Sequence, residues 1–504
     1  MTLFPFSPTL RNKSITFLED NPLLSAKKFM DNPTFRHWAH EFADWMADYF
    51  EQVAQYPVKP RMQPGDIKKQ LPAAPPELPE AFVQQFEDFK NIILPGMTHW
   101  QHPQFFAYFP ASRSAPSVLG EMLTAALGAQ CMIWYTSPAA EELEDRCMEW
   151  LRDMLALPSD WTGCIQETAS AASLVALLMA RERASRYGVN QSGFYQQPRM
   201  RVYASGQVHS SVVKGLKIAG YGEENLVTIP SDEAFALQPD LLEAAIREDL
   251  RQGYLPVCAV AALGSTSSTA IDPIRAMGEI CKKYGLFFHV DAAYAGTALV
   301  LPEMRWMADG LEYADSFVVN PHKWMFTNFD CTAFFVRDVS LLKNTFSILP
   351  EYLKTPLDQQ VNNYRDWGIQ LGRRFRALKL WFVIRTYGVE GIRERIREHI
   401  RIGQWLDATI RQSDDFEVLA PTPLNLVCFR YRPAEVRDEA ALNALNETLL
   451  LALNDSGEIL LTQTKLGGKY ALRLVAGQAE TRQEDVAQGW ERIQDTARSL
   501  PLTP

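Results

Sequence analysis

The sequence predicts an α/β fold: a mostly parallel central sheet with an N-terminal helical arm and a small C-terminal α+β domain. Between about residues 105 and 385, short apolar runs alternate with helical segments, which is typical of a parallel sheet covered on both faces. A chain of 504 residues with 47% apolar content is long enough for several domains. The strand candidates are 201–204, 256–262, 286–290, 316–319 and 332–336.

The first segment, residues 1–104, predicts helices and an extended arm. Aromatic residues recur at spacings of three and four between 34 and 53, as in Phe35, Trp38 and Phe42, which indicates an amphipathic helix. Seven prolines then fall between Pro57 and Pro79, where neither a long helix nor a central strand can run. We expect this arm to pack on a partner more than on itself.

The middle segment, 105–385, predicts the large domain, and the last segment, 386–504, the small one. Ser137-Pro138 places an N-cap residue and a first-turn proline at the start of one helix. Further helices are expected at about 170–186 and 274–284. In the last segment, a helix at 392–412 alternates with strand candidates at 424–431 and 470–475.

The composition favours an enzyme-like globule over a nucleic-acid or membrane protein. Fifty basic residues against 60 acidic ones give a net charge of −10, which disfavours polyanionic partners. Seven cysteines without a C-x-x-C pair suggest reduced, buried thiols. The chain starts without a signal-peptide pattern and has no apolar run of about 18 residues. We therefore expect a soluble cytoplasmic protein.

The chemistry is carried by polar residues that follow strands. The run 286–290 ends in Asp291, and the run 316–319 ends in Asn320-Pro321-His322-Lys323. Ligands in open α/β sheets bind at the carboxyl ends of the strands, so Asp291 and Lys323 are expected to face one crevice. From these two residues alone, a buried ion pair is an equally good interpretation.

A lysine and a carboxylate at such a place suit pyridoxal phosphate. The lysine forms a Schiff base and the carboxylate keeps the pyridine nitrogen protonated. Residues 166–173 (QETASAAS), just before a helix, offer the anion site that a phosphate needs, although Thr168 and Ser173 also fit ordinary caps. His209 follows a strand and suits either stacking on the ring or a structural role, and Thr266 is a candidate hydrogen-bond donor.

Several motifs together resemble the group II pyridoxal-phosphate decarboxylases, most closely the aromatic L-amino-acid decarboxylases. They are HVDAAYAG at 289–296, NPHKW at 320–324, GMTHWQHPQFFAY at 96–108 and DWGIQLGRRFRALKLWF at 366–382. The resemblance covers roughly residues 20–500. It implies the aminotransferase-like architecture called fold type I, an interlocked homodimer with the active site at the subunit interface, and an N-terminal segment that wraps the partner.

The resemblance also implies site residues. Lys323 matches the Schiff-base lysine, Asp291 the partner of the pyridine nitrogen, and His209 the stacking histidine. The remaining matches are cofactor or phosphate contacts at Ala169, Ser170, Thr266, Asn320 and His322, substrate-side positions at Thr98 and Gly372, and a catalytic-loop tyrosine at Tyr352. The family implies no metal, in spite of His99 and His102. Two departures, Glu167 where glycine is common and the stretch 265–270, affect only the cofactor shell.

The implied reaction is decarboxylation of an aromatic L-amino acid to its amine, with Tyr352 as the proton donor. Gly372 leaves room for an indole ring and favours tryptophan-type substrates, while 5-hydroxytryptophan, DOPA, tyrosine and phenylalanine stay open. One alternative is an aldehyde-forming oxidative decarboxylase, which is expected to lack the loop tyrosine or the stacking histidine. The other is a non-catalytic protein that only binds the cofactor or a partner.

Overall fold

The computed structural model describes residues 30–195, 197–348, 353, 355–358 and 360–501. The chain divides into two compact units. The first comprises the residues up to His102 together with Asp455–Glu458, and the second comprises Pro103–Asn454 and the residues from Ile459 onward. The finer division at residues 104 and 385 stays a prediction.

Fifteen α-helices and eleven strands are described in these residues, besides short 3₁₀ and π segments. The helices are α1 Asn32–Gln52, α2 Asp66–Gln70, α3 Phe82–Asp88, α4 Ala115–Leu127, α5 Pro138–Met154, α6 Ala169–Ser185, α7 Gly188–Ser192, α8 Ser211–Ile218, α9 Pro239–Arg251, α10 Ile274–Tyr284, α11 Pro321–Trp324, α12 Val339–Phe346, α13 Arg376–Arg411, α14 Glu439–Ser456 and α15 Gln483–Ser499. The strands are β1 Thr162–Gln166, β2 Met200–Ser205, β3 Leu226–Ile229, β4 Leu255–Ala262, β5 Phe287–Asp291, β6 Ser316–Val319, β7 Thr332–Val336, β8 Phe416–Val418, β9 Leu426–Tyr431, β10 Thr462–Leu466 and β11 Lys469–Val475.

The first unit is built around the aromatic stripe of α1. Asp31 caps this helix by accepting a hydrogen bond from the backbone N–H of Thr34. The rings of Trp38 and Phe82 lie 5.1 Å apart, and those of Phe42 and Phe86 lie 4.9 Å apart. The stripe thus packs on α3 of the same chain. Trp38 and Phe42 therefore pack within the first unit, and the expectation that the arm packs on a partner stays a prediction.

The second unit contains a seven-stranded sheet of order β1-β7-β6-β5-β4-β2-β3. Strand β7 runs antiparallel to both of its neighbours, and all other pairings in this sheet are parallel. The mostly parallel sheet and all five predicted strands are therefore confirmed. The strands β1 and β3 escaped prediction because they are short and mix polar with apolar residues.

Helices cover both faces of this sheet, as a parallel sheet requires. One apolar core lies between the sheet and the helices α6, α8 and α12, and the other lies between it and α5, α9, α10 and α13. Helix α5 begins at Pro138 as predicted, but Ser137 is not a side-chain cap. Its hydroxyl donates instead to the backbone carbonyl of Gln130.

The C-terminal part of the second unit forms the predicted small α+β layer. Its sheet has the antiparallel order β10-β11-β9-β8, and α15 packs on it through Val486, Trp490 and Ile493. All seven cysteines are buried and unpaired, which confirms the prediction of free thiols. Among the described helices, none is long and apolar enough to cross a membrane.

Candidate active site

One cavity of about 210 Å³ opens at the carboxyl ends of the parallel strands. The register brings these ends level, because Ala262 at the end of β4 pairs with Asp291, and Asp291 pairs with Val318 near the end of β6. Polar residues that follow the strands therefore converge. Eight of the predicted site residues line this cavity: Ala169, Ser170, His209, Thr266, Asp291, Asn320, His322 and Lys323.

Lys323 is held on the single turn α11, directly after β6. Burial lowers the pKa of its amine below the usual range, while the nearby carboxylate of Asp291 acts in the opposite direction. A lowered pKa increases the fraction of neutral amine, the form that attacks a carbonyl carbon. The position and the electrostatics of Lys323 therefore suit a nucleophile.

Asp291 is the last residue of β5, and a backbone N–H two residues later holds its carboxylate. Its Oδ1 accepts a hydrogen bond of 3.1 Å from the N–H of Ala293. This bond uses one acceptor position of a carboxylate that has about four. The remaining positions are available to hold a cationic group in the cavity.

Two imidazoles in the cavity wall share one protonation pattern. Nδ1 of His209 accepts the N–H of Ser211 at 3.1 Å, and Nδ1 of His322 accepts the N–H of Cys331 at 2.9 Å. Desolvation lowers the pKa of both rings, that of His322 to about 3, and the charge of Lys323 adds to the effect. Both rings are thus neutral near pH 7, with the proton on Nε2.

The start of α6 provides an anion site. Thr168 caps the helix by accepting a hydrogen bond from the N–H of Ala171, and the first turn carries no acidic residue. Helix N-termini attract anions through free N–H groups and the helix dipole. The buried hydroxyl of Ser173, one turn further along α6, has no hydrogen-bond partner among the described residues. These features fit a phosphate.

Asn320 and Thr332 tie this turn to the lysine. Oγ1 of Thr332 lies 2.8 Å from Oδ1 of Asn320 and 3.2 Å from the carbonyl oxygen of Glu167. The hydroxyl of Thr332 therefore links the segment before Lys323 to the segment before α6. The turn that carries the lysine and the anion site are therefore fixed relative to one another.

The sequence reasoning missed an aromatic wall. Phe109, Tyr294 and Phe329 also line the cavity. Phe109 lies parallel to Tyr294 with 3.8 Å between ring centroids, and Tyr294 lies parallel to Trp324 at 4.8 Å. The Nζ of Lys323 is 5.5 Å from the centroid of Phe109. The aromatic run 105–109 was the available signal, but its spacing alone does not say which ring faces a ligand.

Arg473 on β11 was also missed. Its guanidinium donates 2.7 Å and 3.1 Å hydrogen bonds to the carbonyls of Thr266 and Ser267, and a 2.8 Å bond to Oγ1 of Thr462. The side chain is buried, and desolvation lowers its pKa. It fixes the loop that carries Thr266, from a strand more than 200 residues later in the chain.

Three further predicted residues are not among the described residues that line this cavity. Gly372 lines a separate cavity of about 10 Å³, together with Glu167 and Gln370. Thr98 belongs to the first compact unit, and Tyr352 lies outside the described residues. No group of three His, Cys, Asp or Glu side chains in the described part of the chain is placed to hold a metal ion.

The donor set fits pyridoxal phosphate: an amine, a carboxylate and an anion site share one cavity. Comparison with known proteins gives the same answer. The model of the pyridoxal-dependent decarboxylase conserved domain matches residues 64–432. Phenylacetaldehyde synthase of Arabidopsis thaliana is 42% identical over 94% of this chain and 98% of its own length. Tyrosine decarboxylase 2 of Narcissus pseudonarcissus is 41% identical over 94% and 96%.

A solved structure is also similar. The crystal structure of Oryza sativa TDC with PLP and tryptamine superposes with a TM-score of 0.91, at 35% identity over 94% of this chain and 99% of that chain. The chain belongs to the pyridoxal-dependent decarboxylase family. It is a carboxy-lyase with the fold of that family, and its cofactor is pyridoxal phosphate.

Proposed function

We propose that this pyridoxal-dependent decarboxylase converts an aromatic L-amino acid to its amine and carbon dioxide. The observation that carries the proposal is a single cavity in which Lys323, Asp291 and His209 lie beside the aromatic residues Phe109 and Tyr294. An aromatic wall favours an aromatic side chain through stacking and apolar burial. The similarity to proteins named for tyrosine decarboxylation and to a structure containing tryptamine supports the same substrate class.

Each residue of the cavity has a proposed role in binding the cofactor. When bound, pyridoxal phosphate supplies an aldehyde for the amino group and a ring that accepts the electron pair left by carbon dioxide. We assign the covalent attachment to Lys323, and to Asp291 the task of holding the proton on the pyridine nitrogen. Phosphate binding is assigned to the α6 N-terminus with Ala169 and Ser170. Thr266, Asn320 and His322 hold the cofactor, and His209 packs on its ring.

Three further roles rest on the family resemblance. Tyr352 delivers the proton that Cα of the product needs, Thr98 contacts the substrate, and Gly372 leaves space for its ring. Gly372 reaches the substrate only if it enters the cavity of a second copy, since it lies apart from Lys323 within one chain. The proposal therefore includes a homodimer whose active sites lie at the subunit interface.

An exposed apolar face on α4 supports the dimer. Leu119, Met122, Leu123 and Leu127 are 41–63% exposed and recur at spacings of three and four, so they form one stripe on the helix. Contiguous apolar surface of this kind is typical of an association site. Analytical ultracentrifugation should give a dimer, and Leu123→Glu should give a monomer without activity.

We also propose a cytoplasmic location. The seven buried free thiols support it, and cell fractionation would test it.

An end-point assay with a substrate panel tests the function. The panel is tryptophan, 5-hydroxytryptophan, DOPA, tyrosine, phenylalanine, histidine and glutamate, with amine and carbon dioxide both measured. We expect turnover of aromatic substrates, led by the indolic ones, and none of glutamate. Turnover of glutamate or histidine alone would contradict the proposed substrate class.

A second function is aldehyde formation by oxidative decarboxylation, favoured by the 42% identity to phenylacetaldehyde synthase. In that reaction, dioxygen and water convert the amino acid to aldehyde, carbon dioxide, ammonia and hydrogen peroxide. The presence of both Tyr352 and His209 in this sequence supports the amine-forming function instead.

A further inference from the structure

The turn that carries Lys323 is irregular, and its conformation needs external support. Helix α11 is one turn long, and the N–H of Lys323 donates to the carbonyl of Asn320 at 2.9 Å. Two residues after α11, Phe326 has a φ of 52°, in the left-handed region. A bulky residue rarely adopts this conformation unless its surroundings hold it there.

Three serines near the start of α4 provide this support. The backbone N–H of Ser112 donates to the carbonyl of His322 at 3.1 Å, and its hydroxyl donates to the carbonyl of Lys323 at 2.5 Å. The hydroxyl of Ser114 donates to the carbonyl of Phe326 at 2.7 Å. The hydroxyl oxygen of Ser117 accepts the N–H of Asn328 at 2.7 Å. We call Ser112, Ser114 and Ser117 the serine clamp.

The clamp is buried and is specific for this turn. All three serines are at most 6% exposed, so a lost hydroxyl leaves a buried backbone group without its partner. The bonded positions 322, 323, 326 and 328 span the whole connection from the lysine to the segment before β7. The clamp therefore holds the backbone on both sides of the strained Phe326. It also fixes the backbone position from which the Lys323 side chain extends.

We propose that the serine clamp positions Lys323, with Ser112 as its principal member. This inference rests on the proposed role of Lys323. None of the three serines is among the described residues that line the cavity, so the clamp acts through the lysine backbone. A small displacement of a reacting group lowers kcat by about 10²-fold, so loss of the Ser112 hydroxyl should reduce kcat by about 10- to 100-fold and change KM by less than about threefold.

The test compares Ser112→Ala with Thr124→Ala. Thr124 lies within α4, which begins three residues after Ser112. It is also buried and donates to the carbonyls of Gly120 and Phe375 rather than to the lysine turn. The two variants should lose similar thermal stability. Besides kcat and KM, the pH dependence of Lys323 acetylation in the full-length, cofactor-free chain is measured by peptide mass spectrometry. This readout reports the lysine itself and does not depend on turnover.

At a pH where the amine is neutral in both proteins, we expect Lys323 of Ser112→Ala to be acetylated about tenfold faster than Lys323 of wild type, because a loosened turn exposes the amine to the reagent. The midpoint of the pH dependence should move upward, because exposure removes the desolvation that lowers the pKa of Lys323. Thr124→Ala should match wild type, and Ser112→Thr, which keeps a hydroxyl, should recover most of the slow labelling. If Ser112→Ala does not fold, Ser112→Cys takes its place, since a thiol is a weak donor of similar size.

Unchanged acetylation and kcat in Ser112→Ala, at a stability loss equal to that of Thr124→Ala, would overturn the proposal. The experiment also separates this inference from the proposed function. If Lys323 does not hold the cofactor, the acetylation rate still shows whether the serine clamp positions the lysine. The kcat of Ser112→Ala then gives no information about the clamp.

Discussion

Trp324, the residue after Lys323, donates a hydrogen bond of 2.9 Å from its indole Nε1 to Nδ1 of His399 on α13. Both side chains are fully buried. The bond requires an unprotonated Nδ1, and burial, aided by the charge of Arg395, lowers the pKa of His399 to about 3. The hydrogen bond that holds Trp324, next to Lys323, therefore forms only while His399 is neutral.

The first prediction follows from that histidine. In the unfolded chain His399 takes up a proton below about pH 6.5, whereas in the folded chain it does so only near pH 3. Between these values the unfolded state binds more protons, so the free energy of unfolding falls as the pH falls, by up to about 1.4 kcal/mol per pH unit. His399→Gln keeps an acceptor for Trp324 but cannot titrate.

Thermal unfolding of the cofactor-free chain at several pH values between 6.5 and 4 measures this effect. The midpoint of His399→Gln should fall less steeply with decreasing pH than that of wild type. Parallel pH profiles for the two proteins would show that His399 is not the titrating group.

The second prediction concerns Asp291. Asp291→Asn should fold but lose activity by several hundred-fold or more, about 3–4 kcal/mol, because a neutral amide cannot keep the pyridine nitrogen protonated. The matched control is Asp315→Asn. Asp315 lies at the opposite end of the same strands, where it accepts the N–H of Phe288 and pairs with Arg183.

Steady-state kinetics of the cofactor-saturated variants, with thermal melting alongside, decides this case. Asp315→Asn should lose stability and keep kcat. An Asp291→Asn variant within tenfold of wild type would mean that the carboxylate only completes an ion pair.

The third prediction concerns substrate choice. A Cβ on Gly372 would lie 3.2 Å from Nε2 of Gln130, a flexible side chain, so the backbone should tolerate a small substituent. Gly372→Ser should lower the turnover of tryptophan relative to tyrosine or DOPA, by about 1–3 kcal/mol in kcat/KM. Gly372→Ala separates the effect of size from that of the hydroxyl. Equal losses on indolic and phenolic substrates would remove Gly372 from the substrate pocket.

The fourth prediction concerns Tyr352. Tyr352→Phe keeps the ring but loses the acidic hydrogen that we assign to protonation of Cα. The variant should still consume substrate and release carbon dioxide, while the product shifts from amine to aldehyde plus hydrogen peroxide. Amine, aldehyde and peroxide are measured together in air-saturated buffer, with the exposed Tyr195→Phe as control. An unchanged amine yield without peroxide would leave His209 or water as the proton donor.

Much of the cavity follows from sequence because its residues sit at strand ends. Asp291 and Lys323 each follow a continuous apolar run, and a parallel sheet brings such ends together whatever else the chain does. The start of α6 follows from small residues and a cap. These features are local in the chain, so patterning and the family motifs locate them.

The parts that escaped prediction depend on distant contacts. Arg473 reaches the loop of Thr266 across more than 200 residues, and Phe109 becomes part of the cavity wall only through its stacking on Tyr294. Hydrophobic periodicity does not encode such pairings. Gly372 presents a different difficulty, because its proposed role depends on association with a second copy and not on the fold of one chain.

We assign to Lys323 the covalent link that holds the cofactor in this cavity. Borohydride reduction of the cofactor-loaded protein, followed by peptide mapping, tests it most directly, because reduction makes the lysine–cofactor link permanent. We predict a single modified peptide with the adduct on Lys323, and neither an adduct nor activity in Lys323→Ala. An adduct on any other lysine of the wild-type protein would contradict the account.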